Sequence, residues 1–175
     1  MSIRLIEAND ILEVMDIINE AKQYFKASGS TQWQFGYPNL DTIHNDLHKS
    51  QGYVLTDENG IIGYAALVLE DDPNYAVIDG KWLSDGHYGV IHRVCIRNQY
   101  KGKGYVHQFF TKLEELASLQ GFASVRVDTH TLNTSMRKAI EKEGFTYCGI
   151  VIVDDGTERL AFEKMLRDKE QTTSM

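Results

Sequence analysis

The N-terminal part of the chain carries apolar residues three and four positions apart, a spacing that places them on one face of a helix. After a short strand over residues 3–6, the first helix is expected to follow Asn9 or Asp10, whose short side chain can cap the first turn. It ends before Gly29, and a second helix begins near Asn39. The positions expected to face inward are Ile11, Val14, Met15, Ile18, Ala21, Phe25, Leu40, Ile43 and Leu47.

The middle of the chain predicts a hairpin, a long loop and a further strand. Residues 52–56 and 61–69 are strand-like, and Asn59-Gly60 between them accepts the positive φ angles of a tight turn. Residues 70–86 are rich in turn formers and are expected to be a loop, either near an active-site mouth or elsewhere on the surface. Residues 88–96 then predict another strand.

The C-terminal half predicts a strand-helix-strand unit followed by a helix and two closing strands. A helix over residues 103–120 joins the strand 88–96 to one at 124–129, and such a crossover makes these two strands parallel. The next helix is expected at residues 133–143. The closing strands are expected at residues 146–153 and 158–165.

Length and charge fit one acidic domain. The 175 residues predict a single domain over residues 1–167, followed by a polar tail at 168–175. The formal net charge of −7 argues against nucleic acid and anionic membranes as partners, since both favour clustered positive charge.

Other classes are disfavoured by what the sequence lacks. The sequence shows neither a signal-peptide stretch nor the run of about 20 apolar residues that a membrane span needs. Two cysteines are too few for a disulfide framework or a thiolate zinc site, and the histidines lack metal-binding spacing. We therefore expect a cytoplasmic protein without a bound metal.

Residues 99–104, Gln-Tyr-Lys-Gly-Lys-Gly, form a candidate phosphate-binding loop between a strand and a helix. Amides at a helix N-terminus have no partner inside the helix, and together with the helix dipole they attract anions. Gly102 and Gly104 would let a pyrophosphate approach the backbone, and Lys101 and Lys103 would add positive charge. The spacing is neither that of a P-loop nor that of a dinucleotide fingerprint. The alternative is a flexible turn with solvated lysines.

With two further motifs, this loop resembles the GNAT superfamily of acyl-CoA-dependent N-acyltransferases. Residues 99–104 match the family's Arg/Gln-x-x-Gly-x-Gly/Ala pyrophosphate loop. Asn133 matches the asparagine that touches the pantetheine arm, and Gly144-Phe145 matches the Gly-Phe that ends the next helix. The order of predicted elements agrees over residues 3–166.

The resemblance implies an α/β, GNAT-like fold: a mixed, mostly antiparallel sheet of about seven strands with about four helices. Its parallel fourth and fifth strands splay apart and hold acyl-CoA. The implied cosubstrate is acetyl-CoA, and a primary amine would attack the thioester directly while both reactants are bound. An amide of the fourth strand would polarise the thioester carbonyl. The implied cofactor-binding residues are Val94, Cys95, Ile96, Gln99, Tyr100, Lys101, Gly102, Lys103, Gly104, Tyr105, Asn133 and Met136.

His92 is the first candidate for the base that removes the amine proton. Alternation along the strand places it on the face of Val94 and Ile96, and some family members carry a histidine base at this position. Its unperturbed pKa of about 6.5 suits the task. The alternative is a structural histidine. Asp128 and His130 end the fifth strand on one face; His130 is the second candidate base, and Asp128 either orients a partner or braces the following turn.

Position 140 departs from the family, which often carries there a tyrosine that protonates the leaving thiolate. Here the residue is Ile140. Either Tyr105 or Tyr147 takes that role, or the thiolate leaves unaided. Cys95 is expected to be a buried structural cysteine rather than a nucleophile, because alternation turns it away from His92.

The acceptor is expected to be a small-molecule amine, with a protein amine as the second choice. Trp33 and Tyr37 between the first two helices, together with Trp82, would line its pocket, and acidic residues 70–72 would favour a cationic amine. The alternative is that Trp33 and Tyr37 only hold their loop on the sheet.

Two other functions remain open from sequence. One is a GNAT-like sensor domain that binds acyl-CoA but catalyses little, and the other is a generic nucleotide- or phosphate-binding domain. Family members are often dimers, so a homodimer is compatible with the resemblance, although no dimer seam can be read from the sequence.

Overall fold

The structure is a computed structural model and describes residues 1–166. The predicted polar tail at 168–175 lies outside the described residues. The α-helices in this part of the chain are α1 (Ile11–Ala27), α2 (Leu40–His48), α3 (Tyr105–Leu119) and α4 (Thr134–Lys142). The strands are β1 (Ser2–Leu5), β2 (Gly52–Asp57), β3 (Gly60–Val68), β4 (Asp79–Gly80), β5 (Tyr88–Ile96), β6 (Ser124–His130), β7 (Thr146–Ile152) and β8 (Glu158–Met165). None of the helices in residues 1–166 is long and apolar enough to cross a membrane.

The eight strands form one sheet in the order β1-β2-β3-β5-β6-β8-β7-β4. β5 and β6 are parallel, with Tyr88 opposite Ser124 and Val90 opposite Arg126. The pairs β1–β2, β2–β3, β6–β8, β7–β8 and β4–β7 are antiparallel. The α/β fold with a mixed, mostly antiparallel sheet is thus confirmed, with eight strands instead of about seven.

The additional strand, β4, lies inside the segment that was expected to be a loop. Gly80 and Gly149 have φ angles of +139° and +146°, where two backbones approach closely. A Cβ atom on Gly80 would lie 2.1 Å from the carbonyl oxygen of Cys148, and one on Gly149 would lie 2.2 Å from that of Asp79. The pairing of β4 with β7 therefore requires glycine on both strands, which turn-forming composition alone does not reveal.

The chain divides into two compact units, so the single domain expected over residues 1–167 stays a prediction. The first unit comprises Met1–Leu67 and His92–Phe109, and the second comprises Val68–Ile91 and the chain from Phe110 onward. Each has a hydrophobic cluster of its own. The cluster of the first unit includes Val14, Ile17, Ile18, Ile43, Val54, Tyr64 and Cys95; that of the second includes Tyr75, Tyr88, Val90, Val151 and Ala161.

The inward face of α2 differs from the prediction. Asn39 caps the helix, and its side-chain oxygen accepts a hydrogen bond from the Thr42 amide at 3.0 Å. Leu40, expected inside, is the first residue of the helix and is 46% exposed. Asp46, three residues after the buried Ile43, is completely buried. A charged side chain therefore occupies the inner face of α2, and its partners lie in the candidate site.

Candidate functional site

The loop between β5 and α3 is exposed and contains backbone amides whose partners are missing among the described residues. Gly102 and Gly104 have φ angles of +76° and +81°, and a Cβ atom on either would meet nothing within 4 Å. Glycine is therefore needed for conformation rather than for space. Lys101, Lys103 and both glycines are exposed. Within the described part of the chain, the N–H groups of Gly102, Lys103 and Gly104 donate to no acceptor.

Contacts on both sides hold this loop in place. It follows a 3₁₀ turn at Asn98–Tyr100, and the Asn98 amide donates to Glu20 of α1 at 3.2 Å. The Lys101 ammonium lies 4.1 Å from the ring centroid of Tyr24, also on α1. Tyr100 packs edge-on against Tyr105 of α3, with ring centroids 5.5 Å apart. These contacts favour a loop with a fixed conformation over the alternative of a flexible turn.

β5 departs from the extended conformation at Arg93, whose φ angle is +58°. Exposure along the strand does not alternate there: His92, Arg93 and Val94 are all half-buried, whereas Cys95 and Ile96 are both buried. The argument that placed His92 on the face of Val94 and Ile96 requires a regular strand and therefore fails at Arg93. The role of His92 as the base stays a prediction.

Cys95 is buried, as expected. Its side chain lies in the hydrophobic cluster of the first unit, and its Sγ is 3.8 Å from the carbonyl oxygen of Tyr64. Burial raises the pKa of the Cys95 thiol to about 12, so the nucleophilic thiolate does not form near neutral pH.

The side chain of Arg93 is held by the buried carboxylate of Asp46. Arg93 Nε donates to Asp46 Oδ2 at 3.0 Å, and a terminal guanidinium nitrogen donates to Oδ1 at 2.6 Å. Gln51 donates to Oδ1 at 2.7 Å, and the hydroxyl of Tyr64 donates to Oδ2. Burial lowers the pKa of Arg93, but the nearby Tyr37 and Asp46 raise it by more than burial lowers it. The pKa of Arg93 therefore lies above its ordinary value. The guanidinium is therefore charged at any pH of interest.

The two aromatic candidates between α1 and α2 have different surroundings. Trp33 packs edge-on against Phe25 in the first hydrophobic cluster, with ring centroids 5.4 Å apart. Tyr37 is 46% exposed, and its hydroxyl accepts a hydrogen bond of 2.7 Å from Arg93. Trp33 thus attaches the segment to α1, whereas Tyr37 combines a fixed hydroxyl with an accessible ring.

In the second unit, the end of β6 carries Asp128 and His130. Asp128 Oδ2 accepts a 2.5 Å hydrogen bond from the hydroxyl of Tyr75, so it braces the 3₁₀ turn at Pro73–Tyr75. His130 Nδ1 accepts from the Leu132 amide at 3.1 Å. Burial, and then the positive charge of Arg159, lower the pKa of His130, which favours the neutral imidazole.

Asn133 caps α4 with its side-chain oxygen, which accepts from the Met136 amide at 3.2 Å. Asn133 itself is buried, and Met136 is half-buried. Ile140, which replaces the family's tyrosine, is almost fully buried. Phe145 follows Gly144, whose φ angle is +92°, and packs against Phe110 with ring centroids 5.8 Å apart.

Trp82 is held by several contacts, and its role in lining an acceptor pocket stays a prediction. Its indole N–H donates to the Tyr75 carbonyl at 3.0 Å, and the guanidinium of Arg126 lies 4.1 Å from its ring centroid. Arg126 also forms an ion pair of 3.1 Å with the fully buried Glu163. Asp72, one of the acidic residues expected to attract a cation, accepts from the Asn74 amide at 2.9 Å.

Across residues 1–166, no group of three or more His, Cys, Asp and Glu side chains could hold a metal ion.

Comparison with known proteins identifies the family. The model of the acetyltransferase (GNAT) family matches residues 13–145. The chain belongs to this family. A GNAT acetyltransferase from Streptococcus agalactiae 2603 has a similar structure, with a TM-score of 0.87 and 35% identity over 95% of this chain and 96% of that chain. The resemblance seen in the sequence is thereby confirmed, and the protein is an acyltransferase.

More distant GNAT structures share the fold. Aminoglycoside acetyltransferase AAC(6')-Ib, solved with coenzyme A and kanamycin, has a TM-score of 0.70 at 19% identity over 98% of both chains. The ribosomal-protein-S18-alanine N-acetyltransferase from Escherichia coli has a TM-score of 0.65 at 13% identity over 94% of this chain and 93% of that chain. None of the curated proteins matches this chain in sequence. The acceptor of this GNAT acetyltransferase is therefore not set by similarity.

Sequence reasoning missed three residues of this acetyltransferase that bond to candidate residues within their own unit, directly or through one another. They are Asp46 and Arg93 in the first unit and Tyr75 in the second. A signal existed for Asp46, which falls on the apolar stripe of α2, and for Arg93, a charge within an apolar strand. Tyr75 lies in a turn-rich segment where no periodic pattern marks a buried side chain.

Proposed function

We propose that this protein transfers an acetyl group from acetyl-CoA to a primary amine, most readily that of a small molecule. The observation that carries the proposal is the exposed loop before α3. Three of its backbone N–H groups donate to no acceptor among the described residues, and two of its glycines have positive φ angles. Members of the GNAT family use acetyl-CoA, whose diphosphate suits such a loop.

The diphosphate would accept hydrogen bonds from the amides of Gly102, Lys103 and Gly104, at the positive end of the α3 dipole. The exposed ammonium of Lys103 would add an ionic contact. Backbone groups of β5 would hold the pantetheine arm, and bound acetyl-CoA would supply the activated acetyl group. The remaining proposed cofactor contacts are Val94, Cys95, Ile96, Gln99, Tyr100, Lys101, Tyr105, Asn133 and Met136.

The acceptor amine must lose a proton, and His92 is the proposed base. His130 is the second candidate; its lowered pKa favours a neutral imidazole, but its Nδ1 already accepts the Leu132 amide. Asp128 would orient the amine, with one carboxylate oxygen fixed by Tyr75. For the departing thiolate, Tyr105 and Tyr147 remain candidate acids beside unaided departure.

Tyr37 is the proposed acceptor contact with the strongest support, because its ring is accessible while its hydroxyl is fixed by Arg93. Trp33 and Trp82 are proposed as well, although both pack against neighbouring side chains. Since GNAT enzymes act on small-molecule or protein amines, a protein acceptor is the second candidate. A sensor role is the third, supported by Ile140 at the place of the usual acid.

The test begins with coenzyme A titrated into the ligand-free protein in a calorimeter, where binding is expected. Thiol release from acetyl-CoA is then measured with kanamycin, spermidine, an alanyl peptide and a lysyl peptide. We expect faster release with at least one of the first two amines than with either peptide. Preference for a peptide would favour a protein acceptor, and binding without release would favour the sensor. Absence of binding heat would overturn the cofactor assignment.

Two other properties stay predictions, a homodimeric assembly and a cytoplasmic location. Light scattering of the purified protein would measure the mass of the assembly.

A further inference from the structure

The backbone of Arg93 adopts a conformation that its side chain does not favour. A non-glycine residue at a φ angle of +58° costs about 1–2 kcal/mol relative to an extended conformation. Such a residue persists when its surroundings hold it, and strained residues concentrate at functional sites. Arg93 lies between the proposed base His92 and Val94, the first proposed pantetheine contact of β5.

The side chain of Arg93 is held by polar partners, and the central one, Asp46, is completely buried. All four hydrogen bonds that the Asp46 carboxylate can readily accept are made: two from Arg93, one from Gln51 and one from Tyr64. The Arg93 side chain is 10% exposed and that of Asp46 is fully buried. Apolar side chains of similar volume often stabilise a fold as well as such a buried pair does, so stability alone does not account for it.

The third contact of the guanidinium reaches outward. Its other terminal nitrogen donates to the hydroxyl of Tyr37 at 2.7 Å. The segment around Tyr37 is also fixed on α1, because Lys22 Nζ donates to the Pro38 carbonyl at 2.5 Å and Gln34 donates to the Lys22 carbonyl at 2.9 Å. One rigid, planar group therefore ties the left-handed residue of β5 to an exposed ring that is proposed to contact the acceptor.

We propose that Arg93 is a positioning residue for acetyl transfer. Through Asp46 it fixes the left-handed step of β5 next to His92, and through Tyr37 it fixes where the acceptor lies relative to that strand. The inference rests on the proposed function, in which β5 carries the thioester and Tyr37 contacts the amine. All the residues involved belong to the first unit. Since transfer rates fall steeply when two bound reactants are misaligned, the ion pair acts on rate and acceptor affinity without touching acetyl-CoA.

The first test variant is Tyr37→Phe, which removes only the hydroxyl of an exposed ring and should fold normally. We expect the acceptor KM to rise about fivefold, the effect of losing one hydrogen bond, with the KM for acetyl-CoA unchanged. The amine used is whichever of kanamycin, spermidine and the two peptides reacts fastest with the unaltered protein.

The second variant is Arg93→Lys, which keeps the charge but loses the fork that bonds Asp46 and Tyr37 together. We expect kcat to fall about tenfold or more and the acceptor KM to rise, while calorimetry gives an unchanged Kd for coenzyme A. The control is Glu13→Gln. It breaks the 2.6 Å ion pair between Glu13 and Arg97, which also joins α1 to the chain just after β5 but does not reach Tyr37. Its kinetics should match those of the unaltered protein.

Amide hydrogen exchange over residues 32–38 gives a readout that needs no acceptor. It should accelerate about tenfold in Arg93→Lys and remain unchanged in Glu13→Gln. Unchanged exchange in Arg93→Lys would overturn the proposal. Faster exchange with wild-type kcat and wild-type acceptor KM would also overturn it, because the contact would then be purely structural. If none of the four amines reacts, the proposed acceptor class fails. The exchange result then still supports or overturns the role of Arg93 in holding Tyr37. If the unaltered protein does not bind coenzyme A, the proposed function is refuted instead.

Discussion

The hydroxyl of Tyr75 donates a hydrogen bond of 2.5 Å to Asp128, joining a 3₁₀ turn to the end of β6. Burial, followed by the nearby Asp128 carboxylate, raises the pKa of Tyr75 well above its ordinary value. The phenol therefore remains a donor at every pH at which the protein would be assayed. This contact fixes one oxygen of a carboxylate that we propose orients the acceptor amine.

Tyr75→Phe should destabilise the second unit and misplace Asp128. Loss of this partly buried hydrogen bond to a carboxylate is expected to lower the free energy of unfolding by about 1.5–3 kcal/mol, measured by urea denaturation. Asp128→Asn and the double variant complete a mutant cycle. If the two single changes add without coupling, the bond does not stabilise the fold; if Tyr75→Phe leaves kcat unchanged, Asp128 does not need this partner for turnover.

Gly102→Asp should weaken coenzyme A binding by tenfold or more, since it places a negative charge where the diphosphate is proposed to lie. Gly102→Asn is the matched control. Asparagine tolerates positive φ angles about as well as aspartate, and the position has open space. Calorimetric Kd values within about threefold of the unaltered protein for Asn, but not for Asp, would identify charge as the cause. Equal effects of the two substitutions would place the phosphates elsewhere.

His92→Ala should lower kcat by about 100-fold, the ordinary contribution of a general base, with a near-normal Kd for coenzyme A. His44→Ala, an exposed change on α2, serves as the control. A wild-type kcat in His92→Ala would overturn the role of His92 as the base and leave His130 as the candidate.

Glu114 predicts an unusual dependence of stability on pH. Burial raises its pKa from 4.5 to about 7, although Lys164 Nζ lies 2.5 Å from its carboxylate. Glu143, whose carboxylate lies 4.0 Å from the same ammonium, adds repulsion. Because the folded state holds a proton that the unfolded state has lost, the free energy of unfolding should fall as pH rises from about 4.5 to about 7.

Urea denaturation at several pH values measures this slope. Glu114→Gln should flatten it, because glutamine does not titrate. Asp10 and Asp155, whose pKa values are lowered, affect stability in a different pH range. Their contributions to the free energy of unfolding are lost only as pH falls below about 4. A slope in Glu114→Gln equal to that of the unaltered protein would assign the effect to another group.

The fold was largely readable because its elements depend on local patterns. β5 and β8 have the bounds that the sequence predicted, and each predicted helix is present within two residues of its expected start. Helical spacing in α1 marks its buried face, although Ile17 is also fully buried. β4 was missed because a two-residue strand has no periodicity and depends on contact between Gly80 and Gly149.

The sequence predicted those parts of the candidate site whose functional groups lie within one short segment. The amides of residues 102–104, which have no acceptor among residues 1–166, and the cap at Asn133 follow from neighbouring residues and helix ends. The face of His92 was not readable, because the positive φ angle of Arg93 breaks the alternation on which that prediction depended.

The sequence by itself determined the order of elements, the glycine-rich loop and the family, since periodicity, turn chemistry and motif spacing are properties of consecutive residues. Only the tertiary structure decided which polar side chains meet. Arg93 bonds Asp46 and Tyr37, which lie 47 and 56 positions away, and Tyr75 bonds Asp128 across 53 positions. Such bonds form when the fold brings together polar groups from distant parts of the chain, and no local pattern in the sequence encodes that encounter.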